Sequence, residues 1–313
     1  GCEMQQVTAA ISIVMITSLI PSAPETSVIQ QTLDSLEHLK SRSPLPLLVV
    51  GDGIKARDSW KGGRLRWNEY KKNLKQLLER DHTTKLLFRN SWGHISQTLR
   101  LALAEVQTDY VLVLQHDLPF VEDIDLDALI HAMQSAPSLK HVRFNLRSNH
   151  PAGQDGMTTR RAGTVVEDRS YFFQQRFGPP PNRLPLVQTL SWSDNNFVCS
   201  TRYLSETILR PIGRFKVAPE WVFNTLGTPE NHSYLGTYVF GGLERPPTIA
   251  HTDGRRSGRN PALDATPTSP GTKLFWRINR GWKLSMHRLT VWFLSNRAQS
   301  QLNKGSASKT SSP

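Results

Sequence analysis

The chain has 313 residues, 38% of them hydrophobic, only two cysteines (Cys2 and Cys199) and a net charge of +12. That is enough for one large domain or two modest ones, and it excludes both a disulfide framework and a cysteine-built zinc site. The charge is uneven: from Arg255 to Pro313 there are 11 Lys/Arg against one acid (Asp264), leaving the preceding 254 residues at +2, so the high isoelectric point is no ground for a nucleic-acid-binding fold. No apolar run reaches 18 residues. Residues 9–20 are too short to span a bilayer, carry Ser12, Thr17 and Ser18, and lack a basic flank, so the expectation is a reducing, cytoplasmic location.

The elements follow in chain order. Residues 11–17 (Ile-Ser-Ile-Val-Met-Ile-Thr) predict a buried strand, and Pro21 and Pro24 mark a loop. Residues 25–40 place Val28, Ile29, Leu33, Leu36 and Leu39 at helical spacing. Residues 45–50 predict a second strand ending in Gly51-Asp52-Gly53, and 68–80 a helix with Leu74, Leu77 and Leu78 on one face. A third strand (85–88), a helix (95–106) and a fourth strand (110–114) follow. This alternation predicts an α/β fold with a mainly parallel sheet flanked by helices.

Beyond Pro119 the rhythm changes. A helix is expected over 125–135, a strand over 141–146, a loop over 149–168 and a rigid break at Pro179-Pro180-Pro181. Strand-like residues run over 186–200 around Ser191-Trp-Ser-Asp-Asn-Asn196, a helix over 201–209 ends at Pro211, and 247–254 reads as a short strand with a polar turn. Residues 256–272 read as a proline-rich linker, 273–300 as a basic amphipathic helical segment and 301–313 as a disordered tail.

The fourth strand carries the strongest chemical signal. Tyr110-Val-Leu-Val-Leu114 runs straight into Gln115, His116 and Asp117. Ligands gather at the carboxyl ends of parallel strands, which puts Asp117 where a sheet presents a carboxylate to a ligand or metal. The plainer alternative is an Asp capping the turn after the strand.

With a first strand ending in Ile16-Thr17, a second ending in Val49-Val50-Gly51-Asp52-Gly53, Asn90 and Gly93 opening a helix, and a fourth ending in Gln115-His116-Asp117, the chain resembles the GT-A glycosyltransferases, most closely the family 2 type. The resemblance covers residues 8–120 well and thins out through 255. It implies a GT-A catalytic domain over 1–255, with a nucleotide-sugar-binding half (8–120) and an acceptor-binding half (121–255). It implies transfer of a sugar from a nucleoside diphosphate donor to a hydroxyl acceptor such as a glycan, dependent on Mn2+ or Mg2+ and inverting by family default. Thr17, Asp52, Asn90, Gly93, Gln115 and His116 would then line the donor site, with Asp52 on the nucleoside, and Asp117 would hold the metal.

One departure stands out. The first acid of the family's Asp-X-Asp motif is Gln115 here, a neutral amide where hard cations favour carboxylates. His251, in Pro247-Thr-Ile-Ala-His-Thr-Asp-Gly254, matches a C-terminal His that completes the metal shell in several GT-A enzymes. Imidazole suits manganese better than magnesium, and Asp253 is a weaker candidate for that role. The general base is expected at Glu220, after Pro219 and before an apolar run, or at Asp194 in the polar island 192–196. Helix-terminus charge stabilisation is the plainer role for Glu220.

Secondary candidates are Trp192 for sugar stacking or the core, Arg89 near the nucleotide, Gly241-Gly242 as a flexible turn over the site, and Arg255, Arg256 and Arg259 as a diphosphate clamp or a solvated loop. Residues 273–297 interleave Trp and Phe with Lys and Arg, the pattern of a helix lying on an anionic membrane surface or packed on its own domain. Nucleic-acid contact has no recognised motif behind it. Two alternatives from other classes stay open: an inactive sugar-nucleotide-binding module, given Gln115, and a nucleotidyltransferase, although the loop Ser18-Leu-Ile-Pro-Ser22 lacks the glycines of that class.

Overall fold

All seven residues of β1 (Ile11–Thr17) are buried. A strand covered on both faces belongs in the interior of a sheet with layers on each side. In the computed structural model, which describes residues 10–79, 83–149, 172–181, 183–252, 290 and 292–301, β1 lies between β3 (Leu47–Gly51) and β5 (Tyr110–Gln115), parallel to both. β4 (Lys85–Phe88) pairs in parallel on the outer side of β3. Thr17, Gly51 and Gln115 thus end their strands side by side, with Ile16 opposite Gln115 and Thr17 opposite Gly51.

The sheet reverses beyond β5. β10 (Phe197–Ser200) runs antiparallel to β5 and to β7 (His141–Arg143). β11 (Thr237–Phe240), β9 (Leu184–Gln188) and β8 (Gln174–Phe177) follow, giving the nine-stranded order β4-β3-β1-β5-β10-β7-β11-β9-β8. A small parallel pair joins β2 (Leu39–Lys40) to β6 (Ile124–Asp125). The fold is therefore the expected α/β arrangement: a parallel half that carries the strand ends, and a mixed half grafted on through one antiparallel strand.

Up to Thr252, among the described residues, the α-helices of five residues or more are α1 (Ser27–Asp34), α2 (Arg64–Leu78), α3 (His94–Leu103), α4 (Leu126–Ser135), α5 (Pro219–Phe223) and α6 (Pro229–Leu235). α2 buries Trp67, Tyr70, Leu74 and Leu78, a stripe at helical spacing. Asp125 caps α4 by accepting the Ala128 N–H at 2.8 Å.

Several sequence expectations change. The helix expected over 25–40 ends at Asp34, and a 3-10 turn (Ser35–His38) leads into β2, because Leu39 pairs with Ile124. The helix expected from 68 starts at Arg64, after a π-helical turn over Ser59–Gly63. The strand expected over 141–146 stops at Arg143, and 186–200 divides into β9 and β10 with residues 191–196 as an irregular connector. The helix expected to end at Pro211 continues to Ile212 and stops at Gly213, whose φ of 61° lies in the left-handed region. The strand expected over 247–254 reduces to one bridge, Ile249 with Phe120.

The described residues divide into two units after Thr252. In the second, residues 292–301 are helical. The linker expected over 256–272, Asp253, Arg255, Arg256, Arg259, most of the 273–300 segment and the tail beyond 301 lie outside the described residues. Among the described residues, no helix is long and apolar enough to cross a membrane.

Candidate active site at the carboxyl ends of the parallel strands

Asp52 follows β3 and is buried. One carboxylate oxygen accepts the N–H of Gly53 at 2.8 Å and of Gly93 at 2.7 Å; the other accepts the N–H of His94 at 2.9 Å. The Arg89 Nε lies 3.6 Å away. Burial pushes this carboxyl above its ordinary value, while the three N–H donors and Arg89 pull it down. The geometry makes Asp52 the brace that folds the loop after β4 onto the loop after β3. His94 is held at φ 60°, a conformation a non-glycine residue rarely adopts, and the Asp52 bond to its N–H helps fix it there.

Two glycines permit this closeness. A Cβ on Gly53 would stand 2.1 Å from the Ser91 carbonyl carbon and 2.4 Å from the Trp92 nitrogen, both backbone atoms, and one on Gly93 would meet the Arg89 Nε at 2.4 Å. Gly53→Ala is expected to lower stability by about 1–3 kcal/mol, the usual cost of overpacking, since backbone cannot swing aside. A thermal melt checks this, and an unchanged Tm would contradict the contact. Asn90 is exposed in the same loop. Thr17 ends β1 with its hydroxyl 2.8 Å from the Tyr70 hydroxyl and its carbonyl accepting the Asp52 N–H.

At the end of β5, Gln115 does what an acid could not. Its Nε2 donates to the Asp194 carbonyl at 2.7 Å, and its backbone N–H is taken by the Asn196 Oδ1 at 2.9 Å. A carboxylate has no N–H to give and would face that carbonyl oxygen with like charge. Gln115 therefore straps β5 to the connector 191–196. His116 is buried, with its backbone N–H and its Nδ1 each 3.2 Å from the Ile16 carbonyl and its own carbonyl accepting the Thr32 hydroxyl.

Asp117 is 4% exposed, and its Oδ1 has no hydrogen-bond partner among the described residues. Its Oδ2 is 3.7 Å from the His251 Nε2. Backbone pairing sets up that approach: Val121 N–H donates to Thr248 O, Ala250 N–H to Pro119 O and Thr252 N–H to Asp117 O, each at 3.0 Å. Asn145 anchors the strip, its Oδ1 accepting the Thr248 hydroxyl at 2.7 Å.

A buried carboxylate oxygen without a donor costs more than the ~1–3 kcal/mol of a neutral unsatisfied group, and a cation would offset that cost. The 3.7 Å O···N separation is less than twice the ~2.1 Å ligand distance of a small divalent ion. One carboxylate and one imidazole form a donor set suited to manganese. No cluster of three or more His, Cys, Asp or Glu ligands exists among the described residues, so the remaining coordination positions would fall to substrate oxygens or water.

Glu220 and Asp194 meet at the same rim. The Glu220 carboxylate accepts the Asp194 N–H at 3.2 Å and the Ser193 hydroxyl at 3.3 Å, and the Asp194 carboxylate faces the Glu220 N–H at 3.4 Å. Asp194 is buried and its pKa is raised well above the ordinary value, first by desolvation and then by the Glu220 charge. Glu220 is only partly covered. Beneath them lies Arg143, buried and pulled down to about 10 by desolvation, with the charge of Glu220 acting in the opposite sense. The motif reading gave no role to Arg143, Ser193 or Asn196. An arginine inside the strand expected over 141–146 and the polar island 192–196 were their visible signals.

His141 is fully buried, its Nε2 3.2 Å from the Ser193 carbonyl and its ring 4.8 Å from Trp192. Desolvation, then Arg143, lowers its pKa to about 3. Below the ordinary pKa of ~6.5 the unfolded chain takes up a proton that the folded chain refuses, so this contribution to stability is present above ~6.5 and is lost as pH falls toward 3. Between pH 7 and 4.5 the loss is expected to be about 2–3 kcal/mol, and His141→Phe should remove that part of the slope. Urea melts at the two pH values measure it. Trp192 itself is 0% exposed, packed on His141, Phe197 and Phe223, so it has no face for a sugar. Gly241, at φ 84°, and Gly242 follow β11, whose carboxyl end lies at the same edge of the sheet as that of β5, three strands across.

No protein-family model matches the chain, and no curated protein does. Among solved structures it is similar to TarS of S. aureus (14% identity, TM-score 0.44, 78% of this chain and 37% of that one). It is also similar to GalNAc-T7 with UDP, GalNAc and Mn2+ (9%, 0.45, 76% and 44%). A third similar structure is the mannosyltransferase PcManGT from Pyrobaculum calidifontis with GDP-Man and Mn2+ (14%, 0.41, 95% and 75%). The chain spans 37% of the length of TarS and 60% of its 1–349 fragment. Its own strand order places the braced loops after β3 and β4 and the carboxylate after β5 at one edge of a mixed α/β sheet.

Proposed function

We propose that the chain is a divalent-metal-dependent glycosyltransferase that moves a sugar from a nucleoside diphosphate to a hydroxyl acceptor. The observation that carries the reading is the buried, donor-free Asp117 Oδ1 beside His251, at the tip of the strand adjoining β1. Asp117 and His251 would hold Mn2+ or Mg2+. When bound, that ion supplies Lewis-acid neutralisation of the diphosphate leaving group.

The chain's own residues do the rest. Asp52 fixes the loop over 91–94, which gives the nucleoside a rigid wall beside Arg89. Gln115 holds the connector 191–196 at a set distance from β5, and this positions Glu220 relative to Asp117. Glu220 takes the proton of the attacking hydroxyl. Its acceptor bonds come from Ser193 and the Asp194 N–H, which leave the carboxylate oriented and partly open. Asp194, buried and inclined to keep a proton, is the poorer base.

A thermal-shift panel of nucleoside diphosphates and nucleotide sugars, with and without Mn2+, tests the reading, because a ligand that binds only the folded state raises Tm by mass action. At least one nucleoside diphosphate should shift Tm only when Mn2+ is present. No shift with any of them would overturn the assignment, and pyrophosphate release from a nucleoside triphosphate would favour a nucleotidyltransferase instead.

A further inference from the structure

His251 lies in no strand or helix; the strip 248–252 carries it to Asp117. Three backbone bonds join that strip to 117–121, and one bridge pairs Ile249 with Phe120. Upstream the pairing stops, because Pro246 and Pro247 have no N–H to extend it. Side chains take over at that point. Glu122, the residue after Val121, accepts the Arg245 Nη2 at 2.8 Å. The two segments that carry Asp117 and His251 are therefore tied at one end by backbone and at the other by this ion pair.

Arg245 is set in place from several sides. Its guanidinium lies 5.3 Å from the centre of the Phe240 ring. Phe240 packs on Phe144 at 5.3 Å and Phe144 on Phe120 at 5.0 Å, so the aromatic row ends on the residue that bridges Ile249. Gly241, at φ 84°, leaves the room: a Cβ there would stand 2.0 Å from the Arg245 Cδ. The Arg245 carbonyl accepts the Asn149 N–H at 3.0 Å, and the next carbonyl, of Pro246, accepts the Asn145 Nδ2 at 2.8 Å.

Fold stability explains this arrangement poorly. The side chains of Arg245 and Glu122 are 32% and 34% exposed, and an ion pair so open to water adds little. The Arg245 Nε is buried without a hydrogen-bond partner among the described residues, which is a cost. A metal centre gives the pair a use. Metal–ligand distances hold to about 0.2 Å, and loss of a group that orients a ligand commonly weakens metal binding about 10–100-fold.

We propose that Glu122 and Arg245 are positioning residues for the metal centre: their ion pair fixes where the 248–252 strip lies against 117–121, and so holds the His251 imidazole at coordinating distance from an ion on the Asp117 carboxylate. This rests on Asp117 and His251 being the ligands of a divalent ion.

The test is Mn2+ binding to the full chain, with Mn2+ alone and with Mn2+ plus UDP or GDP, followed by electron paramagnetic resonance. The free-ion signal gives the affinity, and nitrogen modulation of the bound ion's spin echo shows whether an imidazole is coordinated. Glu122→Gln and Arg245→Met should each weaken Mn2+ binding about 10–100-fold. At saturating Mn2+ they should also diminish the nitrogen modulation, as His251→Ala does. The double variant should bind no more weakly than the weaker single one, since the two side chains act as one unit. Arg245→Lys, which keeps the charge, should recover part of the affinity. The metal-free Tm of each variant should stay within about 4 °C of wild type, which separates loss of ligand placement from loss of fold. Wild-type affinity and modulation in both single variants would overturn the proposal and leave the metal site standing. So would a much larger fall in metal-free Tm, which would make the pair a structural one, or Mn2+ bound by the wild type without nitrogen modulation. No Mn2+ binding by the wild type under any of these conditions would overturn the proposal and the metal reading together.

Discussion

Asp117→Asn is expected to abolish the Mn2+-dependent thermal shift with nucleoside diphosphates and to lower transfer roughly 10²–10³-fold, the usual scale for losing one preorganised electrostatic contact at a leaving group. Asparagine keeps the shape and one oxygen but surrenders the charge. The same substitution carries a second expectation that separates a metal ligand from a structural ion pair. Without metal, the wild-type site holds a nearly inaccessible carboxylate oxygen with no donor. Replacing that charge by a neutral amide relieves a desolvation cost, so metal-free stability should stay level or rise. If Asp117 instead served mainly to pair with a protonated His251, 3.7 Å away, breaking the pair would destabilise the metal-free protein by several kcal/mol, on the order of 3–5. Thermal melts of both proteins with EDTA and with Mn2+ plus nucleoside diphosphate distinguish the two. A large metal-free fall in Tm, or a surviving Mn2+-dependent shift, would defeat the metal assignment.

The parallel half of the fold was legible because its strands are continuous apolar runs, buried on both faces in β1, β3 and most of β5 and half-buried at the edge strand β4. β1 and β4 match their expected limits to the residue, and β5 differs by one. The antiparallel half was legible only in part: β7 starts where its strand was expected and β9 and β10 overlap the expected 186–200, whereas β8 and β11 were not read. Gln174-Gln-Arg-Phe alternates exposed and half-buried side chains at a sheet edge, and Pro185 interrupts the apolar residues of β9, so only a short run was there to read. β9 pairs on its other side with β11, more than 40 residues downstream. The connector 191–196 shows the same limit. It is rich in buried residues, but its polar groups are satisfied by Gln115, Glu220 and Leu118 rather than by a ladder.

The site divides in the same way. That Asp117 stands at a strand tip follows from local sequence. That His251 comes within reach of it follows from a backbone strip pairing 248–252 with 117–121, which local pattern does not disclose. Gln115 is the instructive case. As a motif position it looked like a lost carboxylate. In the fold its amide N–H spans to a carbonyl 79 residues away, and the departure from Asp-X-Asp has a positive structural reason. Asp52 shows the converse: the resemblance pointed to a ligand contact, and the geometry adds three backbone bonds that organise the loop first.

Glu220→Gln should leave Mn2+-dependent nucleotide binding at its wild-type level and lower kcat by about 10²–10⁴, the range for losing a general base. The amide oxygen can still accept from Ser193 and the Asp194 N–H, so the rim keeps its form; what is lost is the ability to take a proton. Asp194→Asn provides the contrast. Asp194 is buried, and desolvation is the first cause that raises its pKa, so its surroundings disfavour the charged form and its asparagine variant keeps the shape with no charge. Its kcat should fall far less than that of Glu220→Gln. Steady-state transfer measured from pH 5 to 9 for the three proteins separates the roles. Were Asp194→Asn the more damaged enzyme, with Glu220→Gln retaining near wild-type turnover, the base would have to be moved to Asp194, and the reciprocal bonds between the two would then position that group instead.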